Sequence, residues 1–320
     1  MLPQVMQILL AFIFIPALIL SVIWAGEAFI LRLPVGPQAR LRPWVWMTPM
    51  LFIVGLVLAY PLADTLILSL KDATGARWVG FLNFSWAFSQ AMQPVLANNV
   101  LWLTIFPMIT TGLALVAATL LDRVKYERVA RTFLILPTAI SFVAGSVIWR
   151  MMYEYQPPLQ EQIGTLNALI TLLPGMEPIA WLLEPGLNSF ALIFVAVWMN
   201  LGVATLIISA GVKNISRELV EAAHLDGAGE WNVFRYVTVP MLWPTILVVV
   251  TTQAIFTLKV FDIVYVMTNG SFDTDVIANK MYSELFVAQN LGHASAIAVL
   301  LLVMASPVII MNIRHARAEA

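Results

Sequence analysis

Several polar groups of this chain are concentrated in one stretch, residues 218–244, which reads ELVEAAHLDGAGEWNVFRYVTVPMLWP. Four carboxylates, one imidazole and one guanidinium stand together there, in a chain of which 11% of residues are charged and 61% are hydrophobic. Carboxylate and imidazole groups transfer protons in many enzymes, but a catalytic site needs acid, base or metal ligands that converge, and the sequence contains no such constellation. The same groups on an exposed helix suit charged contacts with a partner protein.

Metal and thiol chemistry are not predicted. The chain contains no cysteine, so disulfides, thiolate nucleophiles and Cys-ligated metals are excluded. Its histidines, His224, His293 and His315, are far apart and lack the spacing of metal ligands. We therefore expect a chain that is not an enzyme and holds no metal or cofactor of its own.

The polar stretch is predicted to form two short helices joined by a glycine turn. Ser216 is a good N-cap and Glu218 an acidic first-turn residue. The run 226–229, Asp-Gly-Ala-Gly, should end the first helix, and Asp226 is expected to cap the second. An amphipathic helix lying on lipid headgroups is the alternative, but such helices usually have a polar face rich in Lys and Arg. The acidic face favours docking to a soluble partner.

The rest of the chain predicts an all-α integral membrane protein, a bundle of about seven transmembrane helices. Its mean hydropathy is +0.88, and the apolar runs are continuous rather than alternating, which indicates helices. A span needs about 20 apolar residues, and the first stretch lacks a cleavage site, so we interpret it as an uncleaved span. The predicted spans are 5–31, 44–70, 95–121, 131–152, 189–212, 243–267 and 291–313.

The distribution of Lys and Arg predicts the orientation. The loops at one side of the membrane hold twelve of the seventeen basic residues: Arg32, Arg40, Arg42, Arg123, Lys125, Arg128, Arg131, Lys213, Arg217, Arg235, Arg314 and Arg317. The long loop 153–188 at the other side contains four Glu and no basic residue. By the positive-inside rule the N-terminus is outside, the C-terminus is in the cytoplasm, and the polar stretch is cytoplasmic.

The run EAAHLDGAGEWNVFRYVTVPML resembles the EAA motif of binding-protein-dependent ABC importer permeases, E-A-A-x-x-D-G-A followed by an aromatic-rich helix and a proline. The matching residues are Glu221, Ala222, Ala223, Asp226, Gly227 and Ala228. Upstream WMNLGVATLIISAGVKNI and downstream FDIVYVMTNGSFDT are similar to further family segments, the latter typical of the maltose-type, sugar-importing branch. Ser271-Phe272 departs from the Gly-Pro that the family often has there. The additional first span resembles alpha-glucoside permeases.

The resemblance implies a division of labour between chains. Residues 216–240 would be the loop whose coupling helix enters a cleft of a cytoplasmic ATPase subunit, with Glu221 supplying a contact and Gly227 the sharp turn. Residues 1–43 would be an extra span with a cytoplasmic link, and 44–320 the six-span transmembrane domain. ATP and Mg would bind two separate ATPase subunits, because this chain has no phosphate-binding loop. A second permease and an extracytoplasmic solute-binding protein complete the implied inner-membrane complex.

Polar residues within the predicted spans are candidates for the solute path, since such residues usually face the bundle interior or a wet cavity. In maltose-type relatives the corresponding helices line the sugar site, and amides, hydroxyls and aromatic faces suit a sugar. Interhelical hydrogen bonding is the alternative for each of them. The candidates are Asn200, Gly202, Thr205, Gln253, Phe256 and Thr257.

An ion- or proton-coupled secondary transporter is the alternative function. Lys259 and Asp262 lie three apart near one end of the predicted sixth span, where a proton relay or a local ion pair are both compatible with the sequence. Secondary transporters frequently show internal repeats with broken helices, and no repeat is found here. We therefore predict an ATP-driven importer of a carbohydrate, an alpha-linked di- or oligosaccharide, working by alternating access.

Overall fold

The computed structural model describes residues 2–121 and 124–318. Within them the chain is helical and forms no β-strand, with an isolated antiparallel bridge between Lys71 and Trp78. The predicted all-α class is confirmed. Arg123, which contributes to the predicted orientation, lies outside the described residues. The chain forms two compact units, Met1–Ile67 and Leu68–Ala320, while the predicted domain division at residue 43 stays a prediction.

The first unit consists of long apolar helices. In order they are α1 (Leu2–Ile30), α2 (Val35–Val54), a π-helical turn (Gly55–Ala59) and α3 (Tyr60–Leu68). The last three run on as one helix of 34 residues, Val35–Leu68, with no buried residue in its most apolar window. A helix with apolar side chains exposed on all sides is typical of a membrane span. Arg42 pairs with Glu27 inside this unit, so these charges are matched.

The second unit holds the remaining helices. They are α4 (Leu82–Ala87), α5 (Gln93–Leu121), α6 (Glu127–Ile135), a 3₁₀ turn (Leu136–Ala139), α7 (Phe142–Met152), α8 (Thr165–Thr171), α9 (Leu187–Lys213), α10 (Arg217–Leu225), α11 (Glu230–Val233), a π turn (Phe234–Thr238), α12 (Val239–Met241), α13 (Trp243–Leu258), α14 (Asp262–Met267), α15 (Ile277–Tyr282), a π turn (Ser283–Val287) and α16 (Leu291–Ala318).

The predicted number of seven spans is not confirmed. In the described part of the chain, four helices are long and apolar enough to cross a membrane, or up to six if each of two bent pairs is one span. The four are Val35–Leu68, Gln93–Leu121, Leu187–Lys213 and Leu291–Val308. Within the predicted first span, 5–31, the described residues contain the apolar helical segment Ala17–Ile30, which is shorter than a full span.

The predicted fourth span, 131–152, is not one straight helix. The segments Glu127–Ala139 and Phe142–Met152 meet at an angle of 100°. Pro137 lacks the N–H that a helix would need, and Ser141 caps a new helix because its Oγ accepts from the Ala144 N–H at 3.2 Å. Length and hydropathy, the basis of the prediction, carry no information about such a bend.

The predicted sixth span, 243–267, is also wrong in its bounds. α13 ends at Leu258, and the backbone leaves helical geometry before α14 begins at Asp262. Lys259 occupies the C-cap of α13 and Asp262 the first turn of α14. The two residues therefore belong to different helices and do not share one helical face. At its other end, the segment 230–241 joins α13 at a bend of 69°.

The core of the second unit forms around α9, which packs along α5. Ala114 and Ala118 of α5 and Ala204 and Ile208 of α9 are completely buried and belong to one cluster. Small residues let two helix backbones approach closely, which is how helices associate in a bilayer. A second, aromatic-rich cluster around Trp102 lies toward the N-terminal end of α9. α9 is thus packed against its neighbours along its length, from its N-terminal end to Lys213, where the next loop begins.

Candidate coupling loop and solute site

The predicted coupling loop, residues 216–240, begins shortly after α9 ends at Lys213. Ser216 accepts a hydrogen bond from the Glu218 N–H at 3.2 Å through its Oγ, so the predicted N-cap is confirmed. Glu218 lies in the first turn of α10, where the helix dipole favours a carboxylate. α10 then runs to Leu225. The N-cap and the acidic first turn, both local sequence features, thus initiate this helix of nine residues.

The turn after α10 is a Schellman motif centred on Gly227. The Gly227 N–H bonds to the His224 carbonyl and the Ala228 N–H to the Ala223 carbonyl, both at 3.0 Å. Gly227 has φ +84°, in the left-handed region that favours glycine. The next helix starts after Gly229, which holds its N-cap position. The expectation that Asp226 caps this helix is therefore wrong: Asp226 sits at the C-cap of α10, because the turn needs two further residues before α11.

His224 links the two arms of the loop. Its Nδ1 lies 3.1 Å from the Ala228 carbonyl, and its Nε2 lies 3.6 Å from Glu230 Oε1. These contacts hold the turn between α10 and α11 together. The sequence did not predict these contacts of His224, because its partners lie across a turn.

The predicted coupling residues lie together at this hairpin. Ala223 and Ala228 are half-buried and hold the turn, while the other four are exposed. Leu225 at the tip is 89% exposed and Trp231 is 66% exposed. Apolar side chains beside carboxylates on a protruding turn are typical of a contact surface. The exposed predicted residues are Glu221, Ala222, Asp226 and Gly227.

Beside the hairpin, an open cavity of about 870 Å³ is lined by charged side chains. Glu127 of α6 accepts from Lys213 Nζ at 2.8 Å and also pairs with Arg131. Arg131 Nη2 donates to Ser209 Oγ at 2.9 Å. Glu221 lines the same cavity. Sequence reasoning missed this ion-pair group, although the i,i+4 spacing of Glu127 and Arg131 was an available signal.

The predicted solute residues on α13 are buried. Gln253 is 4% exposed, and its Oε1 has no hydrogen-bond partner in the described structure. Thr257 is fully buried, and its hydroxyl donates to the Gln253 backbone carbonyl at 2.9 Å. Phe256 is half-buried, with its ring centroid 5.3 Å from that of Phe106 and 5.1 Å from that of Phe142. A buried amide oxygen without a partner is costly, and Phe256 follows Gln253 by three positions on the same helix.

The predicted residues on α9 are occupied by local contacts. Asn200 Nδ2 donates to the Ala196 carbonyl at 2.9 Å, and Thr205 Oγ1 donates to the Leu201 carbonyl at 2.7 Å. Gly202 lies against the backbone of Leu134 and Ile135, so a Cβ there would collide with it. The contacts of Gly202 indicate a role in close helix packing. The unpartnered polar atom among the predicted solute residues is Gln253 Oε1 on α13.

At the opposite end of α9 from the coupling loop, three asparagines hold the segment 272–277. We call this group the asparagine clamp, and all its bonds go to main-chain atoms. The bonds run from Asn98 Nδ2 to Asp273 O (2.6 Å) and Asp275 O (2.9 Å), from Asn188 Nδ2 to Phe272 O (2.6 Å), and from the Ile277 N–H to Asn99 Oδ1 (2.7 Å).

The long loop 153–186 is fixed in the same region by a buried amide. Asn167 is fully buried and its Nδ2 donates to the carbonyls of Glu154 (3.1 Å) and Ile179 (2.9 Å). Its Oδ1 accepts from the Ile179 N–H at 2.9 Å. This segment is therefore an ordered cap, which its Pro-rich sequence did not predict.

The fold and the loop match a known family. Residues 110–318 match the model of the binding-protein-dependent transport system inner membrane component. The chain is 44% identical to the osmoprotective compounds uptake permease protein GgtC of Synechocystis sp. over 86% of this chain and 99% of that protein. It is 40% identical to the alpha-glucoside transport system permease protein AglF of Rhizobium meliloti, over 88% and 84% of the two chains.

A solved structure has the same fold. A bacterial ABC transporter involved in the import of the acidic polysaccharide alginate contains a chain that superposes with a TM-score of 0.73 at 21% identity, covering 86% of this chain and 94% of that one. The present chain belongs to the binding-protein-dependent transport system inner membrane component family. It is a helical ABC importer permease, a transport subunit rather than an enzyme, and the secondary-transporter alternative is not favoured.

Proposed function

We propose that this permease imports a carbohydrate, an alpha-linked di- or oligosaccharide, by alternating access. The observation that carries the proposal is the 40% identity to an alpha-glucoside permease over 88% of the chain. Buried Gln253 and half-buried Phe256, three positions apart on α13, support it, because amides bond ring hydroxyls and aromatic faces cover the apolar side of a sugar.

The proposed complex places ATP hydrolysis in other chains. Two ATPase subunits that bind ATP and Mg receive the coupling hairpins of this chain and of a second permease, and an extracytoplasmic binding protein delivers the solute. The exposed hairpin at Glu221 and Gly227 supports this arrangement. Closure of the ATPase dimer would move the hairpin, and the rigid packing of α9 on α5 would carry that movement into the membrane.

The proposed orientation has the N-terminus outside and the coupling loop and C-terminus in the cytoplasm. The excess of Lys and Arg in the loops on the coupling-loop side supports it. Labelling of single cysteines introduced at Glu161 and Glu218 in intact cells tests the orientation, since the chain has no native cysteine. A membrane-impermeant maleimide should react at position 161 only.

A second candidate solute is an osmoprotective compound such as glycine betaine, favoured by the 44% identity to the osmoprotective compounds uptake permease GgtC. Proteoliposomes containing this chain, its second permease, its ATPase and its binding protein decide between the two. We expect ATP-dependent uptake of at least one of maltose, sucrose and trehalose, and none of glycine betaine. Uptake of betaine alone, or sugar uptake that needs a proton gradient but not ATP, would overturn the proposal.

A further inference from the structure

A second cavity lies at the end of the second unit opposite the coupling loop. It has a volume of about 290 Å³ and lies where α7 ends, the loop 153–186 begins and the segment after α13 passes. This volume is at the lower end of the range for small-molecule sites. The cavity shares no lining residue with the predicted solute residues on α9 and α13.

Tyrosine rings form part of its wall. Tyr153, Tyr155 and Tyr265 line the cavity. Tyr265 is 38% exposed, and its ring stacks on Phe261 with centroids 5.0 Å apart. Tyr153 packs against Trp181 at 5.6 Å. Tyr153 is only 4% exposed, so the accessible ring surface comes from Tyr155 and Tyr265, and such rings offer flat apolar faces with a polar edge.

Hydrogen-bonding groups of both kinds stand beside these rings. Arg150 Nη1 donates to the Val266 carbonyl at 3.1 Å, which joins the end of α7 to α14. A guanidinium has five N–H donors, so this bond uses one of them. Glu154 adds carboxylate acceptors, and Asn269 adds an amide that both donates and accepts.

The wall is held in a strained backbone conformation. Asn269 and Phe272 line the cavity with φ of +52° and +57°. The Asn269 N–H bonds to the Val264 carbonyl at 2.8 Å, and the asparagine clamp fixes the Phe272 carbonyl. Non-glycine residues in this region cost free energy and are concentrated at ligand clamps and active sites. The cavity is thus built before any ligand arrives.

We propose that this cavity binds one glycosyl unit of the transported carbohydrate at the outer face of the permease. Sugars present ring hydroxyls and an apolar ring face, which match the mixed donors, acceptors and tyrosine faces found together here. The assignment rests on the proposed carbohydrate function and orientation. The cavity would be an entry site, separate from the buried residues Gln253 and Phe256. A sugar released by the binding protein would occupy this entry site first.

Saturation-transfer NMR on the purified complex, without the binding protein, tests the site with maltose, sucrose and trehalose as probes. The variant combines Tyr155→Ala with Asn269→Gly, because glycine keeps the positive φ while the amide is lost. Gln160→Ala, in the same loop but outside the cavity, is the matched control. We expect at least one sugar to bind the unaltered complex and the control, and its affinity for the variant to fall by about tenfold, as for loss of one or two hydrogen bonds.

Two results would overturn this site. In one, no sugar of the set binds the unaltered complex, or the variant binds as tightly as the control. In the other, sugar binding is unchanged but the variant needs more loaded binding protein for half-maximal ATP turnover, which would make the cavity a docking surface for that protein. The uptake assay above is independent: sugar uptake with no cavity binding rejects this site alone, whereas no sugar uptake rejects the proposed function.

Discussion

Glu127 Oε1 lies 2.8 Å from Lys213 Nζ, which ties the first turn of α6 to the last turn of α9 across 86 positions of sequence. Lys213 is the last residue of α9, and the coupling loop follows directly. Because α6 leads into the 100° bend, the ion pair connects the bent helix to the helix that carries the loop. A movement of the loop would therefore be transmitted to α6 as well as to α9.

Replacing Glu127 with Gln should weaken coupling more than folding. Both side chains are partly exposed, so solvent screens the pair and it contributes little to stability. We expect the melting temperature to change little and binding-protein-stimulated ATP turnover to fall by about two- to fivefold, measured on the reconstituted complex. Glu161→Gln in the loop 153–186 is the control. Additive effects of Glu127→Gln and Lys213→Gln in a double-mutant cycle would contradict a direct role of this pair.

Gly227→Val should impair attachment of the ATPase. No heavy atom lies within 4 Å of a Cβ built at Gly227, so the effect is conformational, and a left-handed conformation costs a non-glycine residue about 1–2 kcal/mol. We expect less ATPase subunit to co-purify with the chain. Gly227→Asn tests the same position with a residue that tolerates positive φ, and Gly229→Ala tests a glycine with φ −71°. Normal co-purification of Gly227→Val would refute the role of the turn.

Gly202→Ala separates packing from solute binding. The added methyl group would meet the Leu134 carbonyl and Ile135 Cα, and such overpacking costs about 1–3 kcal/mol. We expect a lower melting temperature for the purified chain, whereas Gly112→Ala, where nothing lies within 4 Å, should be neutral or slightly stabilising. A variant with unchanged melting temperature but a higher KM for uptake would instead place Gly202 in the solute path.

Gln253→Leu should give the opposite pattern. The unpartnered Oε1 of Gln253 is a liability of about 1–3 kcal/mol, so an apolar side chain of similar size should leave the fold equally or more stable. If the amide binds the sugar, the KM for uptake should rise by about tenfold. Thr252→Val, on the exposed side of the same helix, is the control. Unchanged uptake would show that Gln253 does not bind the solute.

Asp275→Asn should stabilise the protein at neutral pH. Burial raises the pKa of the Asp275 carboxyl, although hydrogen bonds from the Asn279 amide and the Val276 N–H oppose the shift. Because the folded state holds this proton more tightly than the unfolded state, stability falls as pH rises from the ordinary aspartate pKa through the raised one. We expect melting curves of Asp275→Asn to lose this decline. An exposed neighbour, Asp273→Asn, should keep it, and an unaltered profile in both would refute the assignment.

The local parts of the coupling loop were predictable from sequence. Ser216 as N-cap and Gly227 as the turn follow from rules that concern neighbours only. The error at Asp226 arose because a Schellman turn uses Gly227 and Ala228 before the next helix starts, so the cap position moved to Gly229. Family resemblance then supplied the function that these local rules do not contain.

The helix bends and the order of the loop 153–186 could not be predicted from local sequence rules. The hydropathy of residues 131–152 depends on side-chain type and does not report the direction of the helix axis. Pro137 and Ser141 were nevertheless sequence signals of a break in the helix. Asn167 joins residues 12 and 13 positions away, and the asparagine clamp joins residues up to 178 positions apart. Contacts of this kind depend on the folded chain, and no local pattern marks them.

Since the asparagine clamp grips carbonyl and amide groups of the backbone, it is indifferent to which side chains that segment carries. Phe272 and Asp273 both have positive φ, so glycine or asparagine would fit there with less strain. Proline, whose φ is fixed at about −65°, could not adopt the φ of Phe272, so a chain with Gly-Pro at positions 271 and 272 would need a different backbone path there. The three amides therefore allow changes of side chain in that segment, but not changes that move its backbone.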